Sequence, residues 1–214
     1  MDGTYSASGS KSPQTISQTC EKHAKNVADP DADILLALAH GEHEALGLLM
    51  ERHLAGIKSS ARHMLGDEMM AEDIAQEVFL RAWKHAPNWQ PGRAKFSTWL
   101  HRVTKNLCYD RLRKKKEIYP DTVPDMVDNN PEAAQVLADT QNQATRKSKI
   151  ERAMGTLPER QRMAITLCHY RELSQIEAAD IMDIGVRAYE SLLARARKNL
   201  RAQLEQYKSE LLDG

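Results

Sequence analysis

Two stretches of opposite charge lie close together in this chain. Residues 67–77 hold five acids and no base: Asp67, Glu68, Glu72, Asp73 and Glu77. Residues 92–116 carry nine Lys or Arg against one Asp, with Trp99 and Tyr109 set among them. The chemistry on offer is recognition rather than bond-making. An acidic face suits a basic protein surface and repels nucleic acid. Cations interleaved with rings suit a partly single strand, because the cations hold phosphates while the rings stack on exposed bases. No Ser/His/Asp set, Gly-rich phosphate loop or carboxylate pair stands out, so no enzyme is argued. Eight His and three Cys invite a metal reading. Cys20 and His23 fall in a polar tail, and His101 with Cys108 makes only two ligands, too few for a closed zinc site. No metal and no cofactor is expected.

Helices must position both stretches. Periodicity predicts helices over "DADILLALAH" (31–40), over 42–65 with a stop at Gly66, over about 67–86, and from Phe96 to Lys116. "PNWQPGR" (87–93) reads as a loop. On the 67–83 wheel, Ile74, Ala75, Val78, Phe79, Ala82 and Trp83 fall on one half. Asp73, Gln76, Glu77 and Leu80 fall on the other, and a Leu ringed by polar groups suggests a protein contact. On the basic helix, Phe96, Leu100, Val103 and Leu107 line one face. Thr98, Arg102, Lys105, Tyr109 and Arg113 line the other, with Trp99 and Asn106 at its border. An ordinary surface face is the alternative for the first stripe; for the second it is that Trp99 and Tyr109 only pack at the module's edge.

A second helical region runs from Arg146 to about Tyr207. Within it, "ELSQIEAADIMDIGVRAYESLLARARKNL" (172–200) has the pattern of a helix-turn-helix. Ser174 with Glu177 forms a capping box, "DIG" supplies the turn, and a second helix starts at Val186. Val186, Tyr189, Leu193, Ala196 and Leu200 share an inward face. Arg187, Ser191, Arg195 and Lys198 share the outward one, as major-groove reading requires. Pro158 suits the first turn of a supporting helix.

The fold class is therefore all-α: two small helical modules on a flexible acidic linker, the second containing the helix-turn-helix. The expected division is a disordered tail 1–30, a module 31–116, a linker 117–145 and a module 146–207. The linker holds three Pro, six acids and no base. No apolar run nears the length of a membrane span, and the three scattered Cys fit a reducing cytoplasm.

Taken together, "AEDIAQEVFLRAW", "FSTWLHRVTKNLCYDRLRKKK", "LPERQR" and the closing "ARARKNL" resemble the bacterial extracytoplasmic-function sigma factors over about 31–205. The resemblance implies a subunit that binds RNA polymerase core and directs promoter-specific transcription initiation. The response served would be to stress or to the envelope, with an anti-sigma factor holding the protein in check. It assigns Asp73, Gln76 and Glu77 to the clamp helices of the largest core subunit, and the wheel sets Leu80 among them. Trp99, Lys105 and Asn106 lie in the helix matching the minus-ten element, where the wheel adds Arg102, Tyr109 and Arg113, and 87–95 matches the loop that selects a flipped base. Arg187, Ser191, Arg195 and Lys198 are assigned to the minus-thirty-five element. Two positions depart from the family pattern: Asp183 stands where the turn usually carries Gly, and Glu190 where a base or neutral residue is common. A stand-alone helix-turn-helix regulator is the rival reading.

Overall fold

The computed structural model describes residues 29–90, 94–118, 148–169, 173–205 and 207. The tail 1–28 and most of the acidic linker lie outside the described residues. Four helices build the first module: α1 (Ala32–Ala39), α2 (Glu44–Leu65), α3 (Glu68–His85) and α4 (Phe96–Ile118). Residues 148–155 are helical and are designated α5. They are followed by α6 (Glu159–His169), α7 (Gln175–Ile181) and α8 (Val186–Glu205).

Local chemistry sets the boundaries. Gly66 ends α2 in a left-handed conformation, φ 71°, and its N–H donates to the Arg62 carbonyl at 2.8 Å. Asp67 then starts α3, its carboxylate accepting from Met70 N–H at 2.9 Å. Past His85 the chain tightens into a 3₁₀ turn, Ala86–Asn88, that runs through Pro87. Proline fits there because a first turn leaves its missing N–H without an intrahelical partner anyway.

Asp31 precedes α1 but does not cap it with its side chain. Its carboxylate is buried and meets Arg52 at 2.6 Å and His53 at 2.8 Å, pinning α1 to α2. Burial works to raise this carboxyl, but the His53 and Arg52 hydrogen bonds outweigh it and hold it below the usual range. Asp29, which the sequence reading assigns to the tail, accepts from Phe96 N–H at 2.7 Å and so caps α4.

Leu49, Ile57, Met64, Val78, Phe96 and Leu100 are fully enclosed between α2, α3 and α4. In the second module Met163, Leu167, Ile181, Tyr189 and Leu193 do the same between α6, α7 and α8. The Tyr189 hydroxyl donates to the Ala164 carbonyl at 2.9 Å, so the buried phenol is satisfied. Desolvation pushes its pKa up, which keeps it a donor.

The two modules pack on one another. Arg162, on α6, is buried and donates to Met64 O at 2.7 Å, Gly155 O at 2.5 Å and Leu157 O at 3.2 Å. One guanidinium thus satisfies carbonyls at the end of α2 and at the α5–α6 turn. Arg62 pairs with Glu151 beside it, and α7 lies across α4.

Candidate nucleic-acid and protein interfaces

The α3 stripe is held by its opposite side. Ile74, Ala75, Val78, Phe79 and Ala82 are buried, as their spacing predicts. Trp83 is not: it is 43% exposed and packs edge-on against His43 at 5.5 Å. Asp73, Gln76 and Leu80 are exposed and Glu77 is half-buried. Glu77 pairs with Arg81 at 2.7 Å, and Asp73 lies 3.7 Å from Arg111 of α4. Beside the stripe, Met50, Leu54, Ala75, Gln76 and Phe79 line an open cleft of ≈ 270 Å³. Lys58 and Glu72 rim it, joined at 2.7 Å. The arrangement offers an apolar slot bordered by carboxylates and an amide, suited to a partner helix with both apolar and basic groups.

The α4 face departs from the sequence expectation. Thr98 and Lys105 are buried rather than outward, and Trp99, Arg102 and Tyr109 are partly covered. Asn106 and Arg113 remain exposed. The cause is α7. Lys105 Nζ meets Asp183 at 2.6 Å; Arg102 meets Asp180 at 3.1 Å and Asp183 at 3.5 Å; Lys95 meets Glu177 at 2.7 Å. Arg102 also donates to the Asp180 carbonyl at 2.7 Å. Burial works against the Glu177 carboxylate, yet bonds from Lys95 and Ser174 hold its pKa below the ordinary value. Tyr109 is desolvated, which pushes its pKa up to about 12, and its hydroxyl has no hydrogen-bond partner among the described residues.

The rings on this side form a cluster. Trp99 stacks on His85 at 4.7 Å and on Phe96 at 5.1 Å, and Trp89 meets Phe96 edge-on at 5.0 Å. Trp99 therefore has a structural role in joining α3 to α4. Residues 91–93 of the adjoining loop lie outside the described residues. Cys108 is fully buried, and desolvation pushes its thiol up to about 12. Among the described residues no group of three or more His, Cys, Asp or Glu is placed to hold a metal ion.

The helix-turn-helix matches its pattern closely. The Ser174–Glu177 capping box is present in both directions. Tyr189, Leu193 and Ala196 seat α8, joined by Leu192, which the one-face reading passed over. Val186, assigned to the inward face, is 37% exposed because it stands at the helix start, beyond the packed seam. Arg187, Ser191, Arg195 and Lys198 are all exposed along the opposite side.

The family model for Sigma-70 region 2 matches residues 49–118, and the model for Sigma-70, region 4 matches 147–200. The chain is 34% identical over 179 residues to the ECF RNA polymerase sigma factor SigW of Bacillus subtilis, covering 77% of this chain and 91% of that one. It is 30% identical over 166 residues to SigE of Mycolicibacterium smegmatis, covering 76% and 62%. Among solved structures, CnrH in complex with the cytosolic domain of CnrY aligns with a TM-score of 0.63 at 25% identity, over 83% of this chain and 99% of that one. Both sigma regions thus stand in order on one helical chain, and the chain belongs to the ECF RNA polymerase sigma factors.

Proposed function

We propose that Asp73, Gln76, Glu77 and Leu80, with the apolar cleft beside them, dock this sigma factor on the clamp helices of the largest polymerase subunit. On this reading, α4 then engages the opened minus-ten strand through Trp99, Arg102, Lys105, Asn106, Tyr109 and Arg113. The α8 residues Arg187, Ser191, Arg195 and Lys198 read the minus-thirty-five duplex. The protein acts in the cytoplasm on promoter DNA. One observation carries the reading: the acidic face of α3 and the exposed basic face of α8 sit on separate helices of one chain, each held by buried apolar residues on its opposite side. An anti-sigma factor is the expected restraint, since the CnrH relative is solved with CnrY.

The test is reconstitution with polymerase core and run-off transcription on promoters selected from a random library. Asp73→Lys with Glu77→Lys sets like charge against a basic surface, which costs several kcal/mol of core affinity. Both positions face outward, so the melting temperature should hardly move. A folded double variant that binds core like the parent would overturn the docking assignment. A stand-alone regulator would instead bind promoter duplex tightly without polymerase.

A further inference from the structure

Helix α8 carries five Arg or Lys and two acids. Glu205 closes the helix, so Glu190 stands alone among cations in the half that a helix-turn-helix sets against base edges. The buried seam fixes where it points. Tyr189, Leu192, Leu193 and Ala196 face inward. At about 100° per residue, Arg187 and Lys198 then fall near the outward midline, while Glu190 and Arg195 flank it equally on opposite sides. Glu190 and Ala194 are both exposed on their flank. Ala194 is short, so Glu190 supplies the reach there.

The carboxylate has no visible structural duty. Among the described residues no hydrogen bond or ion pair reaches it, although Arg187 stands three residues before it. Glu151, Glu159 and Glu177 of the same module each meet a cation. Nor does Glu190 offset the helix dipole, since the first turn of α8 holds no acid and Glu190 lies beyond it. An unpaired carboxylate on a face meant for DNA opposes the phosphates. That cost is offset only where the group accepts a hydrogen bond from a base. A carboxylate can do nothing but accept. In the major groove guanine presents N7 and O6, and thymine presents O4, all acceptors. Adenine sets N7 beside its amine, and cytosine presents the N4 amine alone.

We propose that Glu190 reads cytosine at one base pair of the upstream element, and does so largely by rejecting guanine and thymine. The inference rests on the reading of α8 as the minus-thirty-five face. The cations attract any sequence, and the carboxylate withdraws that attraction wherever an acceptor meets it. Glu190 is thus a source of discrimination rather than of affinity.

The test uses holoenzyme reconstituted from the full chain and polymerase core. Run-off transcription is measured on the selected promoter and on every single-base change in its upstream element. Glu190→Ala and Glu190→Gln are compared with the parent; both new residues favour helix, so α8 keeps its seat. The parent should prefer cytosine at one pair by about tenfold. Glu190→Ala should erase that preference by raising output on the disfavoured bases, which a merely structural loss cannot do. Glu190→Gln should move the preference to adenine, because an amide accepts from N6 and donates to N7. Unchanged preference at every pair, or an equal fall on every promoter, would overturn the role. So would weaker binding to core with sequence preference intact, which would assign Glu190 to a protein contact. Arg187→Ala and Arg195→Ala run alongside. If they relax preference at other pairs while the Glu190 variants do not, the Glu190 inference alone fails. If none of these variants alters preference, the reading of α8 as the minus-thirty-five face fails with it.

Discussion

Helices α4 and α8 both carry basic faces, and the structure treats them differently. The α8 face is open, with Arg187, Ser191, Arg195 and Lys198 all exposed. The α4 face lies under α7, with Lys105 buried and Arg102 between two aspartates. The forces differ as well. Apolar burial of Tyr189, Leu193 and Ala196 fixes α8 in its module. Opposed charges hold α7 over α4. Apolar seats are insensitive to salt, whereas exposed ion pairs are screened by it.

The largest expected effect tests the apolar seat. Leu193→Ala should cost about 2–5 kcal/mol, since a buried leucine is replaced by a cavity. Urea unfolding of the full chain would register it in the second module, with no relief at high salt. A cost that vanished on raising the salt would break the contrast between the two seats.

Next is the open face itself. Arg195→Ala should cost about 1–3 kcal/mol on the preferred upstream element and relax preference at one base pair. Lys198→Ala should weaken every upstream sequence alike and reduce the salt dependence of binding. Transcription by reconstituted holoenzyme across a set of single-base promoter variants separates the two. Equal losses on all sequences for Arg195→Ala would demote it to a positioning contact.

Acid should loosen the α4 side first. Asp31 and Glu177 both have carboxyls held below their ordinary values in the folded state. Their contribution is therefore complete above the ordinary carboxylate range and is lost as pH falls through the lowered folded values. The α8 seat is built from Tyr189, Leu193 and Ala196 and has no carboxylate to protonate. Hydrogen exchange below about pH 4 should rise in α1, α4 and α7 before α8. Simultaneous loss in α8 would blur the distinction.

The smallest effect belongs to Lys95→Ala. Its pair with Glu177 is about one-third exposed on each side. Such a pair contributes about 0–1 kcal/mol, and less at high salt. The melting temperature should therefore barely change. A large fall would mean that the covered face is a structural seam rather than a reversible contact.

Much of this was legible one helix at a time. Gly66, Asp67, and Ser174 with Glu177 mark helix ends through local hydrogen bonds, which sequence spacing reveals. The α8 faces follow from periodicity alone, because one side is buried and one is not. What sequence could not show was a second neighbour. Lys105 reads as outward because the periodicity of α4 reflects one core, whereas α7 and its exit turn pack on the opposite side. The Asp29 cap on α4 spans 67 residues, and Arg162 reaches Met64 across 98, so neither has a local signature. One trace was present. Acids at 177, 180 and 183 and bases at 102 and 105 share a three-residue spacing, the signature of matching helix faces. The unusual aspartate in the turn pointed to the same place.

The contrast between a covered and an open basic face is tested most directly by amine footprinting. The full chain would be acetylated briefly, alone, bound to polymerase core, and bound to core with promoter DNA, and the modified lysines counted by mass spectrometry. Lys105 should be strongly protected in the free chain while Lys198 reacts freely. Lys105 should become reactive on core and be protected again when promoter DNA is added. Equal reactivity of Lys105 and Lys198 in the free chain would contradict the account.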